Sequence, residues 1–397
     1  MEGDMRRHKS TLRDKDVREH TAKLLQANLR LPDYKKTPSS VVIDVLLVAA
    51  SWMMSIHAAC HKLRDAPSDD TLLKALRAML PEQAELQRRI NRTLAATLPR
   101  ILKKRKRRQR LAIDLTLIPY HGQHQLREEE VYRSLAKSGT SHFHAYATIY
   151  LVLHGQRYTI AVTVVEKNEK MEDVVKRLLQ QSARVGIRPN LVLLDRGFYS
   201  VGVIRYLQAA RYPFLMPAIA RGRKPAKGQP ATGIRAFQLQ KRSGWGKHTL
   251  VDVKKKRQAT VRICVHCGNY QGKWKRHGRF AWVYAFWGLR PATTRWVADT
   301  YRLRFGIESS YRQMNQARAR TCSRCPMLRL LFVALALILR NVWVWYHWEV
   351  LYSPRRGRRR LRLERMRLRT MLGWLIRVIE AIFGTRGETA TEAVLQP

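Results

Sequence analysis

Asn190-Leu191-Val192-Leu193-Leu194-Asp195-Arg196-Gly197-Phe198-Tyr199 is the stretch whose reading sets the fold class. Asn190 to Leu194 has the short, apolar character of a buried strand, Asp195 to Tyr199 ends it, and a helix to about Ala210 follows. Upstream, Met171 to Val185 is helical by period. Downstream, Pro213-Phe214-Leu215-Met216-Pro217 reads as one more strand. Further upstream, Leu111-Ala112-Ile113-Asp114-Leu115-Thr116-Leu117-Ile118 is a first strand, closed by Pro119-Tyr120-His121-Gly122. Phe143 to Leu153 and Arg157 to Val165 are two more, joined by the turn His154-Gly155-Gln156. The order of three strands with a hairpin, helix, strand, helix, strand predicts an α/β sheet covered by helices.

The flanks read differently. Residues 1–100 are helical in pattern: Pro38-Ser39-Ser40 opens an apolar run to Leu63 with Ser39 or Ser40 as cap, and Asp70 to Leu80 and Pro81 to Leu98 follow. This region is a helical bundle, or a DNA-binding or dimerising domain. After a basic linker, residues 108–217 carry the sheet. Residues 218–290, rich in Gly, Lys and Arg, are a β-rich insertion with strand-like pieces at Thr249 to Val253, Ala259 to Val265 and Arg279 to Trp287. Residues 291–348 contain a polar helix from Tyr301 and an apolar packing helix, Leu328 to Trp348. Residues 349–397 form a basic C-terminal helix with Arg358, Arg362, Arg365 and Arg369 on one face and Leu361, Leu368, Leu372 and Leu375 on another.

Of 397 residues, 76 are Lys or Arg and 29 are Asp or Glu, for a formal charge of +47. That imbalance exceeds what solubility requires and points to a polyanion, DNA or RNA before an anionic membrane surface. The basic runs Lys103 to Arg108, Arg221 to Lys227, Lys254 to Arg257 and Arg355 to Arg369 span the chain. One such run is explained by a solvated face or a targeting signal; four are not. Hydrophobic residues make up 45%, enough for a substantial core. The N-terminus has no apolar signal region, and Leu328 to Trp348 is interrupted by Arg329, Arg340 and Asn341, so a buried helix is expected there and no membrane. The five cysteines fit reduced thiols in a cytosol. Cys264/Cys267 and Cys322/Cys325 have the spacing of zinc ligands, but the two pairs belong to different elements and nothing in the sequence brings them together.

Acids are scarce, and three of them sit where chemistry is placed. Asp114 lies inside an apolar strand, where an unpartnered carboxylate costs several kcal/mol. Asp195 ends an apolar strand, the usual location of functional groups in α/β sheets. Glu308 belongs to Tyr301-Arg302-Leu303-Arg304-Phe305-Gly306-Ile307-Glu308-Ser309-Ser310-Tyr311-Arg312-Gln313-Met314-Asn315, where helical spacing puts Tyr301, Arg304, Glu308, Tyr311 or Arg312, and Asn315 on one face. Three carboxylates from three elements can converge on a metal site. Two Mg²⁺ or Mn²⁺ ions suit such hard oxygen ligands and would activate a nucleophilic oxygen and stabilise the leaving oxygen of a phosphodiester. Each acid has a structural alternative: Asp114 bonded to the nearby turn, Asp195 capping the next helix, Glu308 paired with Arg304 or Arg312. Asp173, Asp252 and Asp299 read as cap, turn or surface groups.

Asp114 in a first strand, Asp195 before Arg-Gly-Phe-Tyr, and Glu308 on a late helix resemble the DDE transposases of insertion sequences. The likeness is to the branch with a Tyr-x2-Arg-x3-Glu-x6-Lys signature and a β-strand insertion before the last acid. Tyr301, Arg304 and Glu308 match in spacing, while Asn315 stands at the lysine position. The resemblance covers about residues 108–345. It implies an RNase H-like mixed sheet flanked by helices, with Asp114, Asp195 and Glu308 as catalytic metal ligands for two Mg²⁺ (or Mn²⁺) ions. It also implies Tyr301 and Arg304 as contacts to terminal DNA phosphates, with Asn315 at the third position and Arg312 able to take over its phosphate contact. Activity would be cleavage of double-stranded DNA at element ends and strand transfer into target DNA, by a homodimer or higher assembly in the cytoplasm at the nucleoid. The alternatives are an RNase H-like nuclease that does not join, and a domesticated DNA-binding protein.

Overall fold

The structure is a computed structural model and describes residues 11–104, 109–122, 131–153, 156–271, 277–304, 314–355 and 358–387. The chain divides into two compact units, one of residues 103–310 and one assembled from residues 1–102 and 311–397.

The first unit is built on a mixed sheet. Its strands are β1 (Gln109–Pro119), β2 (Tyr132–Lys137), β3 (Thr140–Leu153), β4 (Gln156–Val165), β5 (Pro189–Leu194), β6 (Phe214–Pro217), β7 (Gly244–Asp252), β8 (Arg257–Gln271) and β9 (His277–Trp287). They run in the order β2-β3-β1-β5-β6-β9-β8-β7, with β4 also paired to β3. β1 is antiparallel to β3 and parallel to β5, and β5 is parallel to β6. Leu111, Ala112 and Ile113 on β1 and Val192, Leu193 and Leu194 on β5 are fully buried. Such unbroken apolar runs belong to strands covered on both faces.

Helices supply the cover. α7 (Met171–Arg184) turns Val174, Val175, Leu178 and Leu179 inward at helical spacing and packs on β3 and β4. Arg177 fastens it there, donating to Thr163 Oγ1 at 3.2 Å and to the Val164 carbonyl at 3.2 Å. α8 (Val201–Ala209) lies against β7 and β8, with Gln208 Nε2 donating to the Thr260 carbonyl at 2.8 Å.

The expected β-rich insertion is present, and its strands extend the main sheet. β9 pairs antiparallel with β6 from Phe214↔Trp287 to Pro217↔Tyr284, and β8 and β7 follow outward. The segment between β6 and β7 contains a one-turn helix, α9 (Ile234–Gln238), and doubles back through two glycines. Gly222 has φ +116°, and a Cβ there would stand 2.0 Å from the Thr232 carbonyl oxygen. Gly233 has φ +61° and would place a Cβ 2.8 Å from the Arg221 oxygen. Only glycine permits both the conformation and the approach.

The second unit is helical. Its first part holds α1 (Asp14–Leu29), α2 (Ser39–Ser51), α3 (Ile56–Lys62), α4 (Asp69–Met79), α5 (Gln83–Ala96) and the short α6 (Arg100–Lys104). The expected apolar run from Ser39 to Leu63 is two helices bent by 105°. Neither Ser39 nor Ser40 caps α2: Pro38 occupies the cap, and Asp33 Oδ1 accepts from the Ser39 amide at 2.7 Å. Met53, in the left-handed region at φ 56°, turns the chain, and Ser55 caps α3 by accepting from the Ala58 amide at 3.1 Å. Arg18 on α1 pairs with the buried Asp44 of α2 through two guanidinium nitrogens.

Following β9, α10 (Thr294–Arg302) belongs to the sheet unit. The helical unit resumes with α11 (Pro326–Glu349), a hairpin of β10 (Ser353–Arg355) and β11 (Arg358–Arg360), and α12 (Leu368–Phe383). α11 is long and apolar enough to cross a membrane, but 89% of its most apolar window is buried, as in a core helix. It packs on α5 and α2, while α12 packs on α1 and α2. The expected basic helix from Arg358 is not formed. Arg358 lies in β11, Leu363–Arg365 is a 3-10 turn, and helix begins only at Leu368. Arginines spaced four apart repel along a helix. Here Met366 is also held extended, its carbonyl accepting from Trp343 Nε1 at 2.8 Å and His347 Nε2 at 2.9 Å inside the core.

Candidate active site

Strand register assembles the acidic pair. Parallel pairing of β1 and β5 sets Ile113 beside Leu194, so Asp114 and Asp195 are the next residues on two adjacent chains. Neighbouring strands lie about 4.8 Å apart and alternate residues share a face, which brings the two carboxylates together where β5 ends. The Asp114 side chain is 13% exposed and the Asp195 side chain 44%. One acid is sunk in the sheet and the other borders solvent.

The structural alternatives for the two aspartates are not realised. Asp195 precedes a 3-10 turn, Arg196–Phe198, without a side-chain capping bond, and Ser200 instead caps α8. Asp114 Oδ1 accepts from the Leu115 amide at 2.9 Å and from Arg304 Nη2 at 3.1 Å. The same Arg304 nitrogen stands 3.2 Å from Asp195 Oδ1. A single cationic nitrogen therefore bridges the two carboxylates. Burial pushes the Asp114 carboxyl up to about 6, with Arg304 pulling against it and the Asp195 charge adding to it.

Arg304 reaches this point from the end of α10. Thr293 caps that helix, its Oγ1 accepting from the Trp296 amide at 3.1 Å, and the helix packs on β8 and β9. Tyr301 therefore lies in the last turn of a helix that begins at Thr294, and residues 305–313 of the expected helix to Asn315 lie outside the described residues. The α-helical ladder closes with three-residue bonds, Leu303 to the Thr300 carbonyl at 3.3 Å and Arg304 to the Tyr301 carbonyl at 2.9 Å. Tyr301 is 3% exposed, with its ring centroid 5.8 Å from the Arg304 guanidinium carbon and 5.3 Å from the ring of Tyr284 on β9. Burial raises the Tyr301 phenol well above its ordinary value, so it stays protonated. Both signature residues point inward in this state, against the carboxylates and the sheet.

Arg157, absent from the sequence-derived site, holds this corner. It is buried near the start of β4 and donates to the Leu153 and Gln156 carbonyls at 2.9 Å each, and to the Leu303 carbonyl at the end of α10. A lone cation inside an otherwise apolar strand was the signal available in the sequence.

Glu308 and Arg312 lie outside the described residues. Asn315 is exposed and belongs to the helical unit. The paired cysteines are also divided: Cys264 and Cys267 are on β8, Cys322 and Cys325 in the helical unit. Cys264 donates to the Thr294 carbonyl and Cys267 to the Gln240 carbonyl.

Two carboxylates gathered on one cation, Asp114 within β1 and Asp195 just past β5, offer hard oxygen donors that could hold a divalent ion. Residues 105–342, more than half of the chain, match the model of the transposase DDE domain. The chain belongs to the DDE transposase family. Asp114, Asp195 and Arg304 are all described residues within the matched region. Among solved structures, the chain is similar to a piggyBac transposase, determined by cryo-EM as a synaptic complex with hairpin DNA. The two are 10% identical, with 94% of this chain and 78% of that one covered and a TM-score of 0.52, a likeness of fold. No curated protein sequence matches the chain.

Proposed function

We propose that this DDE transposase cuts DNA phosphodiester bonds at the ends of a mobile element and joins the freed 3′-hydroxyl to target DNA. The observation carrying this reading is the convergence of Asp114 and Asp195 on the single Arg304 nitrogen. Hard carboxylate oxygens so disposed suit Mg²⁺ or Mn²⁺, and Asp114, Asp195 and Glu308 would be the ligands of two such ions. When bound, the ions activate the attacking oxygen and neutralise the leaving one.

The chain's own residues do the rest. Asp114 sits deep in the sheet and fixes the position of the charge; Asp195, half exposed, faces the incoming DNA. With a metal ion held by the carboxylates, the Arg304 guanidinium would be free to take a DNA phosphate instead, for which its planar fork is suited. Tyr301, buried under that guanidinium, positions it without itself reaching the backbone. Arg312 and Asn315 supply further contacts to the DNA end. The net charge of +47 supports double-stranded DNA as partner and a site of action at the nucleoid. Processing two ends together calls for a homodimer or larger assembly.

The test incubates the full chain with Mg²⁺ and DNA carrying the inverted repeats that flank its coding sequence. Asp195→Ala and Glu308→Ala should abolish cleavage, and wild type should yield joined product with target DNA. Cleavage by both variants at the parental rate would refute the metal site. Cleavage without joining would establish a nuclease instead.

A further inference from the structure

We propose a second metal site, for a divalent transition ion such as Zn²⁺, formed by His57, His61 and Asp69 in the helical unit. This site is separate from the acidic pair and does not rest on the proposed reaction. His57 and His61 stand four residues apart on α3, so one helical turn puts their rings on one face, with centroids 4.3 Å apart and planes tilted by 53°. Asp69, the first residue of α4, faces them: its Oδ2 is 2.8 Å from His57 Nδ1. One donor atom from each of the three lies within 4.8 Å of the others. Zinc bonds of about 2.0–2.2 Å require tetrahedral donors roughly 3.4 Å apart, a spacing that small rotations of these exposed rings attain.

The scaffold beneath the cluster is fixed, which distinguishes it from a casual surface pair. The loop joining α3 to α4 is pinned to the end of α12 by backbone bonds from Arg64 to the Gly384 carbonyl at 3.1 Å and from Asp65 to Phe383 at 2.9 Å. Arg386 donates to the Lys62 carbonyl at 3.0 Å. Leu63 between them is fully buried. That clamp fixes the end of α3 and the start of the loop, and α4 packs directly on α3. Two lysines on the same helices are paired with other acids, Lys62 with Glu380 at 3.3 Å and Lys74 with Asp70 at 2.8 Å. Cys60 on the same helix is buried and is left out of the ligand set. Two imidazoles and one carboxylate select zinc, cobalt, nickel or copper over magnesium, and they leave room for water as a fourth ligand. An ion there would staple α3 to α4.

Metal uptake by the full chain decides this. The protein is stripped with chelator, saturated with Mg²⁺ to fill the acidic pair, and titrated with Zn²⁺ while stoichiometry and melting temperature are followed. Wild type should bind one more equivalent than His57→Ala/His61→Ala, and at a hundredfold excess over Kd should melt about 5 °C higher than without zinc. Asp69→Asn should weaken uptake at least tenfold, whereas Asp114→Asn/Asp195→Asn should keep the extra equivalent. Circular dichroism confirms that the exposed histidine substitutions leave the helices intact. Equal uptake by wild type and the histidine variant, undiminished uptake by Asp69→Asn, or loss of the equivalent in Asp114→Asn/Asp195→Asn would overturn the assignment.

Discussion

Arg304 Nη2 lies 3.1 Å from Asp114 Oδ1, although 190 residues separate the two in the chain. This ion pair joins the end of α10 to the middle of β1, and it sets the electrostatic state of the acidic pair before metal arrives. Removing one partner of a buried pair strands the other, at a cost of about 3–5 kcal/mol. Protonation of Asp114 relieves part of that. Arg304→Met should therefore destabilise the metal-free protein strongly in urea unfolding, and saturating Mg²⁺ should narrow the difference. Equal stability of the two proteins without metal would exclude the pair as the anchor of α10.

The raised carboxyl of Asp114 has a defined signature in pH. Its folded value of about 6 exceeds the ordinary 3.8, so the folded chain holds a proton where the unfolded chain has released it. Stability from this group is fully present below pH 4 and is lost as pH rises through 6. The difference is about 3 kcal/mol at 1.36 kcal/mol per pKa unit. In chelator, wild type should lose stability across that window relative to Asp114→Asn. Parallel pH profiles would contradict the burial argument.

Arg157 offers a test of positioning. Its substitution by Met leaves the Leu153, Gln156 and Leu303 carbonyls without their donor. At about 1–3 kcal/mol for each buried group left unsatisfied, the sheet unit should lose at least 2 kcal/mol. DNA cleavage should fall through kcat more than through DNA affinity, because the residue acts on where Arg304 stands. A defect confined to affinity would place Arg157 in DNA binding instead.

Affinity for DNA should be governed by counterion release. A footprint of 6–10 phosphates loses about 10³–10⁵ in affinity between 50 and 200 mM salt. Lysines 254–256 are exposed at the β7–β8 turn. Replacing all three by Ala should lower the slope of log K against log salt by roughly 2–3, measured by fluorescence anisotropy. An unchanged slope would remove this turn from the footprint.

The central strands were legible because burial on both faces writes itself into sequence as unbroken runs such as Leu111-Ala112-Ile113 and Leu191 to Leu194. The aspartates that end or interrupt those runs were legible for the same reason. What escaped depends on partners far apart in the chain. That β9 joins β6 is decided by the pairing of Phe214 with Trp287, and no local pattern encodes it. The face shared by Tyr301 and Arg304 was visible, but not its inward direction, which the carboxylates and Arg157 impose. The C-terminal arginines mimic helical spacing, yet buried hydrogen bonds to the Met366 carbonyl hold that segment extended.

The helical unit draws its core from both flanks of the sheet unit, with α1 and α2 packed on α12, and α5 on α11. During translation, α1 to α5 leave the ribosome long before residues 326–383 exist to cover them. Val42 to Ala50 of α2, fully apolar except for Asp44, can pack early on α1 and α3 but cannot complete its burial against α11 and α12 until the whole sheet unit has been made. Exposed apolar helices of that kind are targets for chaperones and proteases. A copy of the gene interrupted anywhere before α12 therefore yields a chain that cannot close this core.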